Sequence, residues 1–376
     1  MIRDFNRRDL LACAGAAGLL GFAIGKVRSQ VPEPPVPTGT LRERADRKGL
    51  LCGSAVSFPA LKDERLRKCL IDDCNILVPE NELKWAVIQP KEGPINFEPA
   101  EAIFNFAKTN AMQMRGHTLT WYRDEPDWAV AKIAGMTPGK AGDFLYDYVH
   151  KVVSHWKGRI LQWDVINEPV VATGKIVEKA FYGKLGEDYM DIALRATKDA
   201  DPAALRMLNQ TLIAQEWWWE DKQRIQTLDL VERLLKRGAP LQGFGYEAHM
   251  RTAYAFSERK WAAFLEELKQ MDLKFMVTEL DVDDSGTIGD VKWRDAEAAA
   301  LAKSMLDVSF SFEHCLGVLT WGASDKHSWI RHSEERRRKD GAPQRPTPRD
   351  DDYRRKPLWS AIAQALDGAP VRRRAA

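Results

Sequence analysis

Three short stretches of this chain carry residue types that can do chemistry on a bound molecule. "WDVINEP" ends an apolar run in Asn167, Glu168 and Pro169; "YEAHM" carries Glu247 and His249; "TELDV" carries Glu279 and Asp281. Side chains two apart on a strand share a face. Glu279 and Asp281 are therefore expected to point the same way, as are Glu247 and His249. On neighbouring strands, His249 would come within reach of both Glu279 and Asp281 and could bridge them, fixing Glu279. Charged groups are rarely buried without a partner. Two carboxyl groups facing each other across a cleft, one holding a proton and one ionised, are the equipment for cleaving a glycosidic bond.

Such residues need a frame that brings them together. From about Leu41 onward, eight short apolar runs alternate with helical patterns: "LLCGSAV", "NILVPE", "QMRGHTLTW", "ILQWDVINE", "LRMLNQ", "LQGFGYEAH", "KFMVTELDV" and "CLGVLTWGA". In "WAAFLEELKQM", Trp261, Phe264, Leu265, Leu268 and Met271 fall on one helical face. Strands apolar on both faces that alternate with helices indicate a parallel sheet covered by helices. Eight units point to a single closed (β/α)8 TIM barrel over residues 41–370, with its active site at the C-terminal ends of the strands. No G-x-G-x-x-G follows the first strand, which argues against a dinucleotide-binding sheet.

The polar groups collect where such a barrel would use them. The strand ends carry Glu80 and Asn81, with Lys84 and Trp85 just beyond. They also carry His117 and Trp121; Asn167 and Glu168; Asn209; Glu247 and His249; Glu279 and Asp281; and Trp321, with Asp325, His327 and Trp329 following. Asn209 alone is read as a satisfied core amide. The rest predict a pocket, and the 13 tryptophans of the 376-residue chain suit one that stacks on flat ligand faces.

Composition bounds the function. Hydrophobic content of 44% and charged content of 29% fit a globular enzyme, and Lys+Arg 56 against Asp+Glu 54 predicts no nucleic-acid partner. The run Arg331–Lys356 is expected to be a solvated loop whose charge Asp350, Asp351 and Asp352 partly neutralise. Residues 1–30, with Arg7-Arg8 ahead of a short Gly/Ala-rich apolar run, read as a Tat-type export signal to the periplasm or exterior, with no stable membrane anchor. Residues 31–40 read as a Pro-rich linker. Cys52, Cys69, Cys74 and Cys315 are expected as buried thiols, although Cys69 and Cys74 are close enough in sequence for a bridge. His327 and His332 match no zinc spacing, and no metal or other cofactor is implied.

The motifs "PENELKW", "RGHTLTW", "WDVINEP", "TELDV", "TWGASDKHSW" and "DYRRKPLWSAI", in this order from about Leu50 to Asp367, resemble those of the glycoside hydrolase family 10 endo-β-1,4-xylanases. The resemblance implies Glu168 as general acid/base, Glu279 as nucleophile and a retaining mechanism through a covalent glycosyl-enzyme. It implies that Asn167 binds the 2-hydroxyl of the scissile sugar and that His249 links Glu279 with Asp281. Glu80, Asn81, Lys84, His117 and Trp121 would hold sugars on the non-reducing side. Trp321 and Trp329 would wall the scissile sugar and, with Lys84, exclude glucose chains by clash. The implied partner is β-1,4-xylan or xylo-oligosaccharides, acted on by a monomer. The chain departs from the family pattern at Glu247, where Gln is usual, in "RMLNQTLIA", which lacks an Asn-Asp-Tyr run, and at Tyr122, where His is common. These departures keep two alternatives in view: a retaining β-glycanase on another or decorated β-1,4-glycan, and a non-catalytic glycan-binding barrel.

Overall fold

Runs such as "ILVP" and "GFGY" are apolar at every position because both faces of their strands are covered; all four residues of each are buried. The computed structural model describes residues 37–217 and 220–372, with the side chain of residue 220 excepted. The expected export signal and all but the end of the expected linker lie outside the described residues. The last linker residues are tied to the barrel: Arg44 donates to Thr38 O at 2.6 Å and Arg355 to Gly39 O at 2.7 Å. Thr40 then opens the first helix, Leu41–Lys48, with a capping box to Glu43.

The strands are β1 (Leu51–Val56), β2 (Ile76–Pro79), β3 (Gln113–Gly116), β4 (Thr120–Trp121), β5 (Gln162–Asn167), β6 (Leu205–Gln210), β7 (Gly243–Tyr246), β8 (His249–Arg251), β9 (Lys274–Asp283) and β10 (Cys315–Thr320). All pair in parallel in the order β10-β1-β2-β3-β5-β6-β7-β9, and β10 also pairs with β9, which closes the barrel. The eight-stranded (β/α)8 barrel read from the sequence is the observed fold. Short β4 extends β3 along β5, and short β8 extends β7 along β9. Strand closeness demands glycine at Gly53, where a Cβ would lie 1.9 Å from Ile76 O.

Apolar packing divides in two. Helices bury one face each against the outside of the strands; in the helix Glu258–Gln270, capped by Ser257, that face is Trp261, Phe264, Leu265 and Leu268, as the spacing predicts. Inside the barrel, Ile76, Val78, Met207, Met276, Leu319 and Trp321 pack together. Beside them the Arg115 guanidinium donates to Asp164, which also meets Nδ1 of His117 at 2.9 Å. This buried ion pair is fully partnered and forms the floor of the site above it.

Two readings change. "LQGFGYEAH" is not one strand: it breaks at Glu247 and Ala248, and the Ala248 carbonyl accepts from both Met250 N at 2.8 Å and Asp281 N at 3.2 Å. The strand expected to carry Glu247 and His249 is thus interrupted, yet their side chains still converge as expected, alongside Glu279. The Arg-rich segment is solvated only in part: Arg337, Lys339 and Arg354 are exposed, and Arg354 pairs with Asp352 at 3.2 Å as expected, but other arginines are tied down. Arg338 donates to Asp284 O and Thr287 O, Arg345 pairs with Asp295 at 2.8 Å, and Arg349 pairs with buried Asp73 at 2.6 Å. Its charges serve distant acids and carbonyls, which composition cannot reveal.

Candidate active site

Glu168 follows β5 with φ +48°, a left-handed conformation that costs a residue with a Cβ roughly 1–2 kcal/mol. Its N–H still donates to Asn209 O at 2.8 Å, so the ladder continues while the side chain is turned off the strand. Glu279 and Asp281 stand on β9 with His249 of β8 between them. Nδ1 of His249 is 2.9 Å from Asp281 Oδ1 and Nε2 is 3.2 Å from Glu279 Oε2. Trp329 completes the set by donating Nε1–H to Asp281 Oδ2 at 2.7 Å.

The environments separate the two carboxyl groups. Burial pushes Glu168 above its ordinary value, opposed by Arg123, whose Nε lies 3.6 Å from Oε2, and reinforced by the charge of Glu279. Burial acts on Glu279 as well, but the His249 hydrogen bond and the charges of His117, His249 and Lys84 outweigh it and hold Glu279 below its ordinary value. For His249, burial favours the neutral ring, yet the charge and hydrogen bond of Asp281, joined by Glu279, raise it to about 9. That value favours the protonated ring, whose two nitrogens both face carboxylate oxygens. One carboxyl is thus disposed to hold a proton and the other to stay charged, the division that general-acid and nucleophilic roles require.

The remaining expected residues gather around this pair. Asn167 is buried and accepts from Asn209 at 2.9 Å. Lys84 donates to Asn81 Oδ1 at 2.9 Å and lies 5.1 Å from the Trp121 ring centroid. Burial lifts Glu80 to about 7. The Trp321 ring meets His117 edge-on at 5.2 Å and the Trp329 ring meets His249 at 5.1 Å, so both tryptophans flank the carboxylates.

Others of the rim do not reach the site. Trp85 is buried in an aromatic cluster, stacked on Tyr148 at 4.0 Å. Asp325 pairs with Lys356 at 2.9 Å, and His327 meets the Tyr353 hydroxyl at 2.9 Å; both hold the chain beyond β10. All four cysteines of the described residues are buried thiols, as expected.

Sequence reasoning undervalued Asn209. Its Nδ2 lies 2.9 Å from Asn167 Oδ1, 3.0 Å from Glu247 Oε1 and 2.9 Å from Glu279 Oε1, and its Oδ1 accepts from Thr278. Gly245 makes this possible, because a Cβ there would fall 2.2 Å from Asn209 Oδ1. The available signal was register: Asn209 pairs with Asn167 on β5 and with Gly245 on β7. Arg123 and a platform of Trp217 stacked on Tyr254 at 3.7 Å were also missed. Trp217 lines a recess shared with Glu247 and His249.

Ligand atoms of Glu247, His249 and Glu279 lie within 4.8 Å of one another, a spacing compatible with a cation. Both His249 nitrogens already meet carboxylate oxygens, Asp281 at 2.9 Å and Glu279 at 3.2 Å.

The family model of glycosyl hydrolase family 10 matches residues 40–365. The chain belongs to that family. It is a glycoside hydrolase whose strand-end carboxylates occupy the rim such barrels use. Endo-1,4-beta-xylanase B of Thermotoga neapolitana is 29% identical over 320 residues, which cover 84% of this chain and 89% of that protein. Endo-1,4-beta-xylanase C of Phanerodontia chrysosporium is 28% identical, covering 88% of this chain and 79% of that protein. The crystal structure of xylanase 10B from Thermotoga petrophila with xylobiose is similar at a TM-score of 0.79 and 28% identity, covering 88% of this chain and 98% of that one.

Proposed function

We propose that this family 10 hydrolase is a retaining endo-1,4-β-xylanase. The observation that carries the reading is the opposed setting of Glu168, raised by burial, and Glu279, held down by His249, at one barrel rim. Glu168 gives its proton to the glycosidic oxygen as Glu279 attacks the anomeric carbon. Glu168, now ionised, then takes a proton from the water that releases the sugar. His249 and Asp281 hold Glu279, and Asn167 contacts the 2-hydroxyl. Glu80, Asn81, Lys84, His117 and Trp121 bind the non-reducing side, and the wall of Trp321, Trp329 and Lys84 would exclude a glucose chain by clash with its hydroxymethyl group. Relatives named as xylanases, one seen with xylobiose, support the substrate class.

The test is trapping with a 2-fluoro-xylobioside. Peptide mass spectrometry is expected to find the label on Glu279, and Glu279→Ala is expected to release no reducing sugar from xylan. Label on another residue, or an active Glu279→Ala enzyme, overturns the reading. Glu247, absent from the usual family pattern, favours one second reading, a decorated or different β-1,4-glycan, which a polysaccharide panel separates. Residues 1–30 are proposed to export a monomer through a Tat-type signal. Retention in the cytoplasm is expected on replacing Arg7 and Arg8 by Lys.

A further inference from the structure

Two arginines at the rim rest on aromatic rings instead of on acids. Arg251 ends β8, two residues on from His249. Its guanidinium carbon lies 5.3 Å from the Trp217 ring centroid and 6.0 Å from that of Tyr254. Arg336, beyond β10, lies 4.5 Å from the Trp329 ring, which is itself 5.1 Å from the His249 ring. Nε of Arg251 and Nη1 of Arg336 have no hydrogen-bond partner among the described residues.

The nearby acids are engaged elsewhere. Asp281 meets His249 with Oδ1 and accepts from Trp329 with Oδ2. Asp283 accepts from Ser285 N at 2.9 Å, and its Oδ2 stays 3.9 Å from Arg251 Nε, beyond hydrogen-bond distance. Burial lowers Arg336 below its ordinary value, and the charge of Arg251 adds to this against the pull of Asp281 and Asp283.

The position of Arg251 assigns a side of the cleft. Around the closed barrel, β6, β7 and β8 fill the short arc between Glu168, after β5, and Glu279 on β9. Lys84 and Trp121, which follow β2 and form β4, lie on the other arc. Arg251 and its ring Trp217 therefore lie away from the residues assigned to the non-reducing side, and Trp217 lines the recess that Glu247 and His249 share. A guanidinium fork matches a carboxylate with two parallel hydrogen bonds, and a ring stacked beneath it restrains it without consuming its donors. A linear xylan carries no charge and leaves both cations unanswered. A uronic acid branch brings one carboxylate.

We propose that Arg251 and Arg336 form a subsite for the carboxylate of a uronic acid branch carried on the leaving-group side of the scissile bond. The inference rests on the reading of Glu168, Glu279 and a β-1,4-xylan backbone above, and it names the decoration.

Three substrates test it: xylohexaose, the same chain with one glucuronic acid branch, and that branched chain with its carboxyl reduced to the alcohol, which keeps the shape and removes the charge. Wild-type kcat/KM is expected to favour the acid over its reduced form by about tenfold at low salt, and the ratio should shrink as salt screens the contact. Mass spectrometry is expected to find the branch on the leaving-group fragment. Arg251→Gln and Arg336→Gln should each lower the ratio, and the double variant should bring it to about one. The ratio is taken within each enzyme, so a general loss of activity does not imitate the effect. Calorimetric binding of the acid and its reduced form to Glu279→Ala reads the same preference without turnover. A wild-type ratio of one, or a wild-type ratio kept by the double variant, overturns the subsite. A wild-type enzyme inactive on all three substrates overturns the functional reading itself.

Discussion

Replacing His249 by asparagine tests how Glu279, the proposed nucleophile, is kept charged. His249 donates to Glu279 at 3.2 Å and to Asp281 at 2.9 Å, and Glu279 is 4% exposed. Burial alone would lift the Glu279 carboxyl; the hydrogen bond and charge of His249, with His117 and Lys84, bring it below its ordinary value. Asparagine is too short to span both acids, so it removes the hydrogen bond and the positive charge together. A hydrogen bond between charged groups contributes about 1.5–3 kcal/mol. With about 1.4 kcal/mol per pKa unit, Glu279 is expected to rise by roughly one to two units. Only ionised Glu279 can attack, so the acid limb of kcat/KM moves to higher pH by the same amount. Below the new limb the rate falls roughly 10- to 100-fold against wild type. The assay is the pH dependence of kcat/KM on a soluble xylo-oligosaccharide, with the protein's fold checked by circular dichroism. A variant whose kcat drops while its acid limb stays in place would refute the electrostatic account and leave only a packing role.

The same histidine links stability to pH. Its folded value of about 9 lies above its ordinary 6.5, so its contribution is fully present below pH 6.5 and is lost as pH rises through 9. Denaturant titrations are expected to show this loss, on the order of 3 kcal/mol, and a variant lacking His249 is expected not to show it. Arg123→Ala removes the cation that opposes burial at Glu168, so the alkaline limb of activity should move to higher pH. Because the Arg123 side chain is 63% exposed, the shift should shrink with added salt, and a salt-independent shift would count against it. Arg349→Ala leaves buried Asp73, which also accepts from Trp359 at 2.9 Å, without its cation. Thermal and chemical unfolding should register a loss of about 3–5 kcal/mol, and a loss under 1 kcal/mol would show the pair to be dispensable.

The eight-unit barrel was legible because its strands are covered on both faces and read as bare apolar runs. The carboxylates at their ends were legible because ionisable groups do not end such runs by accident of packing. Glu279 and Asp281 sit on one unbroken strand, so simple alternation placed them correctly. Glu247 and His249 also converge, but the strand between them is broken, so tertiary contacts rather than an unbroken two-residue period hold them together. Arg338, Arg345 and Arg349 looked like a solvated run because the acids and carbonyls they bind lie far away in sequence.

The sequence by itself determined the frame and the candidate carboxyl groups, since hydrophobic periodicity and residue type are local properties. Only the tertiary structure separates the two carboxyls, biasing Glu168 toward its protonated form and Glu279 toward its charged form. Burial, the charge of His249 and the shared amide of Asn209 act through space across β5, β6, β8 and β9, and their balance exists only once the barrel has closed.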